Sequence, residues 1–126
     1  PVPLVFDHFG RIAPDAIGQA PHTLLLDLLQ SARAWIKLSG GYLVSTQRTV
    51  EDPALDALAA SYLRCAPDRV LWGSDWPHAT ASAGVQPMPD DARQIDRLHE
   101  WMQQAGVPPR RVLVDNPQAL YGFSPL

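Results

Sequence analysis

Three short, largely apolar runs, Val2 to Phe6, Trp35 to Ser39 and Arg69 to Gly73, are each followed by a stretch with helical periodicity. Strands that are apolar along their length are expected when both faces of a sheet are covered. Their alternation with helices predicts parallel strands joined by right-handed crossovers. The first helix is expected from Pro21 to Ala34, with Leu24, Leu25, Leu28 and Leu29 on one face. The second is expected from Pro53 to Cys65, capped by Asp52, with Leu55, Leu58, Ala59, Tyr62 and Leu63 as its apolar stripe. The third is expected from Asp90 to Ala105, with Ile95, Leu98, Trp101 and Met102 inward and Gly106 as its stop. An extended piece from Arg111 to Val114 and a helical turn through Ala119, Leu120 and Tyr121 close the chain. The fold class is α/β, and at 126 residues the whole of 1–126 is expected to form one domain.

Strand order alone does not say whether the sheet closes. An open sheet of three or four strands suits this length, whereas a complete eightfold barrel needs roughly twice as many residues. The loops point to a barrel. Gly40 to Glu51 and Pro77 to Pro89, which follow strands, are long and polar, while Ala66 to Asp68, which follows a helix, is short. That asymmetry is the pattern of a barrel that keeps its chemistry at the carboxyl ends of its strands. The chain lacks an initiator Met and opens on Pro1-Val2-Pro3 almost inside a strand, so a piece of a longer protein is expected.

Composition narrows the partners. Ten basic residues, only one of them lysine, are scattered through a chain of formal net charge −3, with no stripe of the kind that binds nucleic acid. The single cysteine, Cys65, cannot form an intrachain disulfide and reads as a small buried apolar residue of a reducing compartment. No apolar run approaches the roughly 18 residues of a membrane span, and no charged-then-apolar leader is visible. The expected partner is a small molecule, and the expected location is the cytoplasm.

The chemistry gathers where strands become loops. In Val70-Leu71-Trp72-Gly73-Ser74-Asp75-Trp76-Pro77-His78 an apolar run stops at a carboxylate, which Trp76-Pro77 would restrain and shield from water. A partly desolvated Asp75 could take a proton from an attacking water; the plainer reading is an Asp capping the next turn. His8 ends the first strand in the same way and could ligate a metal, polarise a carbonyl or simply serve structure. Alternation sends Asp7 to the opposite layer, toward a helix. His78 falls on the loop, as an exposed side chain or a substrate contact. Lys37 shares a strand face with Trp35 and Ser39, where its amine reaches an acid or an anionic ligand, or snorkels from the strand end. Ser39 and Tyr42 stand at the next mouth as hydrogen-bonding residues for a ligand. Arg11 and Arg48 are the cations best placed for a carboxylate-bearing substrate. No His-x-His, paired cysteines or His-Glu-x-x-His is present, and Gly40-Gly41 opens a polar loop instead of a phosphate-binding helix.

Four stretches, Val5 to Gly10, Ile36 to Gly40, Val70 to His78 and Asp115 to Phe123, together resemble the carboxyl-terminal half of an amidohydrolase-superfamily enzyme. The branch they resemble contains 2-pyrone-4,6-dicarboxylate hydrolase and the sugar lactonases. The resemblance implies a (β/α)₈ barrel to which this chain contributes about the last three strand-helix units and a terminal helical turn. In that family a His-x-His pair on the first strand, a later histidine and an aspartate on the last barrel strand surround the reacting carbonyl. His8 is similar to the later histidine and Asp75 to the last-strand aspartate. The resemblance makes Asp75 the general base for the hydrolytic water and His8 the group that polarises the carbonyl. It leaves open both a divalent metal such as zinc, held by His8 and Asp75, and metal-free catalysis.

One departure bears on substrate. Dicarboxylate-binding relatives often carry an arginine in the loop after the Lys-Leu-Ser-Gly strand, where this chain has Leu43, and Arg48 is the expected substitute. The reading is therefore hydrolysis of a lactone or related cyclic ester. Its alternatives are a lactone isomerase or metal-dependent decarboxylase on the same fold, and a small non-catalytic α/β binding domain. Oligomeric state has no signature.

Overall fold

The computed structural model describes residues 2–125. Strands β1 (Leu4–Phe6), β2 (Ala34–Ser39) and β3 (Val70–Gly73) form a parallel sheet in the order β1-β2-β3, with Phe6 opposite Ile36 and Ser39 opposite Gly73. The helices are α1 (Ala20–Gln30), the short α2 (Gly41–Val44), α3 (Ala54–Cys65), the short α4 (Ala79–Ser82), α5 (Asp91–Ala105) and α6 (Asn116–Tyr121).

Alternation along the strands decides which face is covered. Ile36, Leu38 and Val70 join Leu25, Leu29, Leu55, Leu58, Leu63, Leu98 and Met102 in one buried cluster between sheet and helices. Each such aliphatic side chain contributes about 1.5–3 kcal/mol on leaving water. Residues of the other parity, among them Val5, Trp35, Lys37, Ser39, Leu71 and Gly73, face the opposite side. Trp35 is covered there by the Arg69 guanidinium, 4.5 Å from its ring centre. β1 leaves apolar side chains open, with Leu4 49% and Val5 39% exposed.

The expected helices are present, with shifted ends. Asp90 caps α5, its Oδ1 accepting from the backbone N–H groups of Ala92 and Arg93, and Gly106 closes it in a left-handed conformation. Asp52 does act at the start of α3, with Oδ1 accepting from Ala54 N at 2.9 Å. α1 ends at Gln30, short of the expected Ala34, because Ala32 takes the left-handed position that ends a helix. Its N–H bonds to Leu29 O and that of Arg33 to Leu28 O, which closes the last turn. Leu24, expected on the inner face of α1, is exposed.

The extended segment expected from Arg111 to Val114 is instead a wide helical turn, Arg111–Asp115, that runs into α6. Val112 is fully buried from that turn, so packing overrides its β-branched preference. Pro117 has no N–H to return to the preceding turn, which is where the regular ladder gives way. Asn116 donates from Nδ2 to Pro67 O, in the turn before β3, and to Val70 O, at the start of the strand, which ties α6 to β3. No helix among the described residues is long and apolar enough to cross a membrane.

A buried histidine on α1 makes part of this core sensitive to pH. His22 Nδ1 accepts from Gly18 N, while Nε2 lies 2.9 Å from Ser61 Oγ, whose own proton goes to Leu58 O. Those partners fix a neutral ring with its proton on Nε2, and burial holds the imidazole below its ordinary 6.5. The unfolded chain therefore binds this proton more readily than the folded one. The contribution of His22 is fully present above about pH 6.5 and is lost as pH falls toward the folded value. Denaturant midpoints of the complete protein between pH 7.5 and 5 should drop more steeply for wild type than for His22→Gln; parallel curves would refute this.

Candidate active site

All three strands point their carboxyl ends at one region, and each delivers a polar side chain there. β1 ends in Asp7-His8, β2 in Ser39 and β3 in Ser74-Asp75. His8 Nδ1 lies 2.9 Å from Ser39 Oγ, which also accepts from the His8 backbone N–H at 3.2 Å. The seryl proton is thus free to point at Nδ1, and Nε2–H is turned toward Asp75, 3.5 Å from its Oδ1. The other carboxylate oxygen, Oδ2, accepts from the Tyr42 hydroxyl at 2.6 Å.

Local sequence makes this geometry. His8, Phe9, Gly10 and Arg11 all have positive φ, so the chain leaves β1 in a tight left-handed turn. Phe9 anchors that turn, buried edge-on against Trp101 with its carbonyl accepting from Tyr62 Oη. Gly40 lets His8 approach: a Cβ there would sit 2.9 Å from His8 Nδ1, at φ 55°. Asp75 itself has φ 66°, a conformation that Asp tolerates better than most residues.

The turn also corrects an expectation. Strict alternation placed Asp7 against a helix, but its Oδ1 lies 2.7 Å from Lys37 Nζ on the open face of the sheet. β1 has ended at Phe6, so the left-handed His8 does not alternate with Asp7 and both serve the same side. The pair accounts for the lysine in β2.

Tyr42, Ser39 and His78, expected at the mouth as ligand contacts, are buried and engaged with protein groups. Ser39 holds His8, and Tyr42 holds Asp75. Burial, the hydrogen bond to Asp75 and the charges of Asp75 and Asp91 all raise the Tyr42 pKa, with Arg11 opposing, so the phenol keeps its proton and remains a donor. His78, read as an exposed loop residue, is 3% exposed, with Nδ1 3.2 Å from Tyr42 Oη and Nε2 2.8 Å from Asp91 Oδ1, out of hydrogen-bond alignment. Trp76, expected to shield Asp75, is 75% exposed. The turn after β3 is capped by Ser74, whose Oγ accepts from Trp76 N, so Asp75 keeps its side chain for the site.

Arg11 and Arg48 are exposed, and among the described residues neither forms an ion pair. Arg48 lines a cavity of about 260 Å³ beside Tyr42, with Thr49, Glu51, Met88 and Arg93. Arg93 is held there by Glu51, whose carboxyl this bond keeps below its usual range. Among the described residues no three His, Cys, Asp or Glu side chains converge as a metal site. His8 and Asp75 offer two donors, and the bond from Ser39 Oγ to Nδ1 fixes the ring so that Nε2 faces the site.

The amidohydrolase family model matches residues 1–123, the strand-end stretches included. The chain belongs to the amidohydrolase family. It is 35% identical over 122 residues to a 4-sulfomuconolactone hydrolase of Hydrogenophaga intermedia, covering 96% of this chain and 39% of that protein. A D-galactarolactone isomerase of Agrobacterium fabrum is 33% identical over 123 residues, covering 97% of this chain and 41% of the isomerase. A crystal structure of a probable 2-pyrone-4,6-dicarboxylic acid hydrolase from Acinetobacter baumannii, with citric acid bound, superposes with TM-score 0.70 at 26% identity. That match covers 96% of this chain and 44% of the crystallised one. The chain thus spans about two fifths of the length of the curated relatives it matches.

Candidate site residues that the sequence left unmarked are Asp91 and Gln94 of α5. Asp91 follows the cap Asp90 and reads as an ordinary first-turn acid. Only the packing of α5 against the loop after β3 reveals its partner.

Proposed function

We propose that this chain is the catalytic carboxyl-terminal part, one domain over 1–126, of an enzyme that hydrolyses a lactone or related cyclic ester of a small carboxylic acid. The observation that carries the proposal is the facing pair His8 and Asp75, 3.5 Å apart at the ends of the two outer strands and each held by a buried partner. The parallel sheet, helices on one face and apolar side chains open along β1 support placing these strands as the last units of a (β/α)₈ barrel. Another part of that barrel would cover Leu4 and Val5.

In this reading Asp75 Oδ1 takes a proton from water as its oxygen attacks the ester carbonyl, whose developing oxyanion His8 Nε2–H stabilises. Collapse of the tetrahedral intermediate breaks the ring C–O bond, and Asp75 returns the proton to the leaving oxygen. One water is consumed and one hydroxy acid formed. A divalent metal, if the complete enzyme holds one, would be bound in part by His8 and Asp75 and would act as a Lewis acid on the carbonyl. Arg48, in the cavity beside Tyr42, is the cation proposed for the acid group of the substrate. The likeness to a lactone isomerase favours a second reading, in which the opened chain recloses on a different hydroxyl.

The test is ring opening by the complete protein, followed by proton release and product NMR with 4-sulfomuconolactone and D-galactarolactone. Net acid release with an open-chain product is expected. A new lactone without acid release would select the isomerase, and no turnover of any lactone would overturn both readings.

A further inference from the structure

The first turn of α5 grips the catalytic loop on both sides of Asp75. Gln94 Nε2, buried, donates to Ser74 O at 3.0 Å and to Asp91 Oδ1 at 2.9 Å. Asp91 in turn stands against His78, and His78 against Tyr42, which donates to Asp75. Because the Tyr42 proton is committed to Asp75, the His78 Nδ1 facing Tyr42 Oη is the donor of that pair. Tyr42 and His78 also meet edge to face, with ring centres 5.8 Å apart.

We infer that His78 and Gln94 are positioning residues, which fix Tyr42 and the Ser74 carbonyl so that Asp75 presents Oδ1, and not Oδ2, to the reacting centre. The inference rests on the reading of Asp75 as general base. Three observations converge on it. Tyr42, His78 and Gln94 are each 3% exposed or less, so the path is shielded from competing water. Asp75 and His78 both hold positive φ, so the segment between them needs outside bonds to keep its shape. Tyr42 occupies Oδ2 at 2.6 Å, which leaves Oδ1 as the oxygen facing His8. None of the three side chains has to touch substrate to act.

The test compares His78→Asn with His78→Gly in the complete protein, using 4-sulfomuconolactone and, in parallel, Asp75→Asn. Both replacements accept the left-handed backbone, but only Asn keeps a donor at the position of Nδ1. His78→Gly should lower kcat on the order of 10- to 100-fold with KM within about threefold, the signature of a misplaced catalytic group. His78→Asn should recover most of that loss, and Gln94→Met, which cuts the second grip, should again lower kcat with little change in KM. If Asp75→Asn is inactive while His78→Gly and Gln94→Met turn over at the wild-type rate, the positioning role is overturned and the base survives. A kcat loss that follows melting temperature, with no recovery in His78→Asn, overturns it equally. Full activity of Asp75→Asn removes the base reading itself.

Discussion

Replacing Asp75 by Asn in the complete protein is expected to lower lactone turnover by about 10²–10⁴-fold, the range a lost general base accounts for. The replacement is nearly isosteric. Asn accepts a positive φ such as the 66° at this position, and its amide oxygen can still receive the Tyr42 hydroxyl. Folding should therefore persist, and the loss should fall on kcat, because what disappears is proton acceptance in the transition state. An Asn also turns an N–H toward His8 where a carboxylate oxygen stood, so the attacking water loses its proton acceptor. Steady-state kinetics beside a thermal melt decide the matter. Turnover within threefold of wild type would sink the assignment, and a collapsed melt would mark Asp75 as structural.

The metal question can be read on the same pair. Should the complete protein carry zinc, His8→Ala and Asp75→Asn should each release it, since each removes one of two donors supplied from this side of the site. Zinc retained in both variants would place the metal elsewhere.

The strand-helix order and the strand-end positions of His8 and Asp75 were legible for one physical reason. A strand covered on both faces writes itself as an apolar run, and the polar residue at its end marks the mouth of the site. His8 and Asp75 stand at such ends. The helix stop at Ala32 was not legible, because the left-handed position usually given to Gly or Asn is filled by Ala. Nor was the helical turn at 111–115, where burial of Val112 outweighs a sequence that locally favours strand. The supporting network was the least visible. Tyr42, Asp75, His78 and Gln94 meet through strand register and helix docking, and no local spacing announces contacts 33 and 36 residues apart. His78 looked exposed because loop residues usually are, and Trp76 looked like a shield for Asp75 because a large apolar ring usually covers what stands beside it. Both averages failed where the loop folds inward around a site.

Arg97→Met is expected to be the most damaging single change to stability away from His8 and Asp75. Arg97 lies on α5 with its side chain buried, donating to Val50 O and Asp52 O in the loop after α2 and to Asp56 on α3 and Glu100. Its guanidinium also lies over the Trp101 ring, whose Nε1 shares Asp56 as acceptor. Its hydrogen bonds to Glu100 and Asp56 and the charges of both outweigh burial and raise its pKa, so it stays charged at any working pH. Removing it strands two backbone carbonyls and leaves Asp56 with one partner. Breaking such a buried pair costs about 3–5 kcal/mol, and the low end applies because Asp56 and Glu100 retain access to water. Met preserves the packing over Trp101, so the loss measures the polar contacts. Arg97→Lys should recover less than half, since an ammonium cannot span the carbonyls and the carboxylates in one plane. The same loop carries Arg48, Thr49 and Glu51 around the cavity beside Tyr42, so its loosening should raise KM more than it lowers kcat. Urea midpoints and Michaelis parameters of the complete protein test both halves. A methionine variant as stable as wild type would show that the loop is held by the Ser45–Asp52 bond instead.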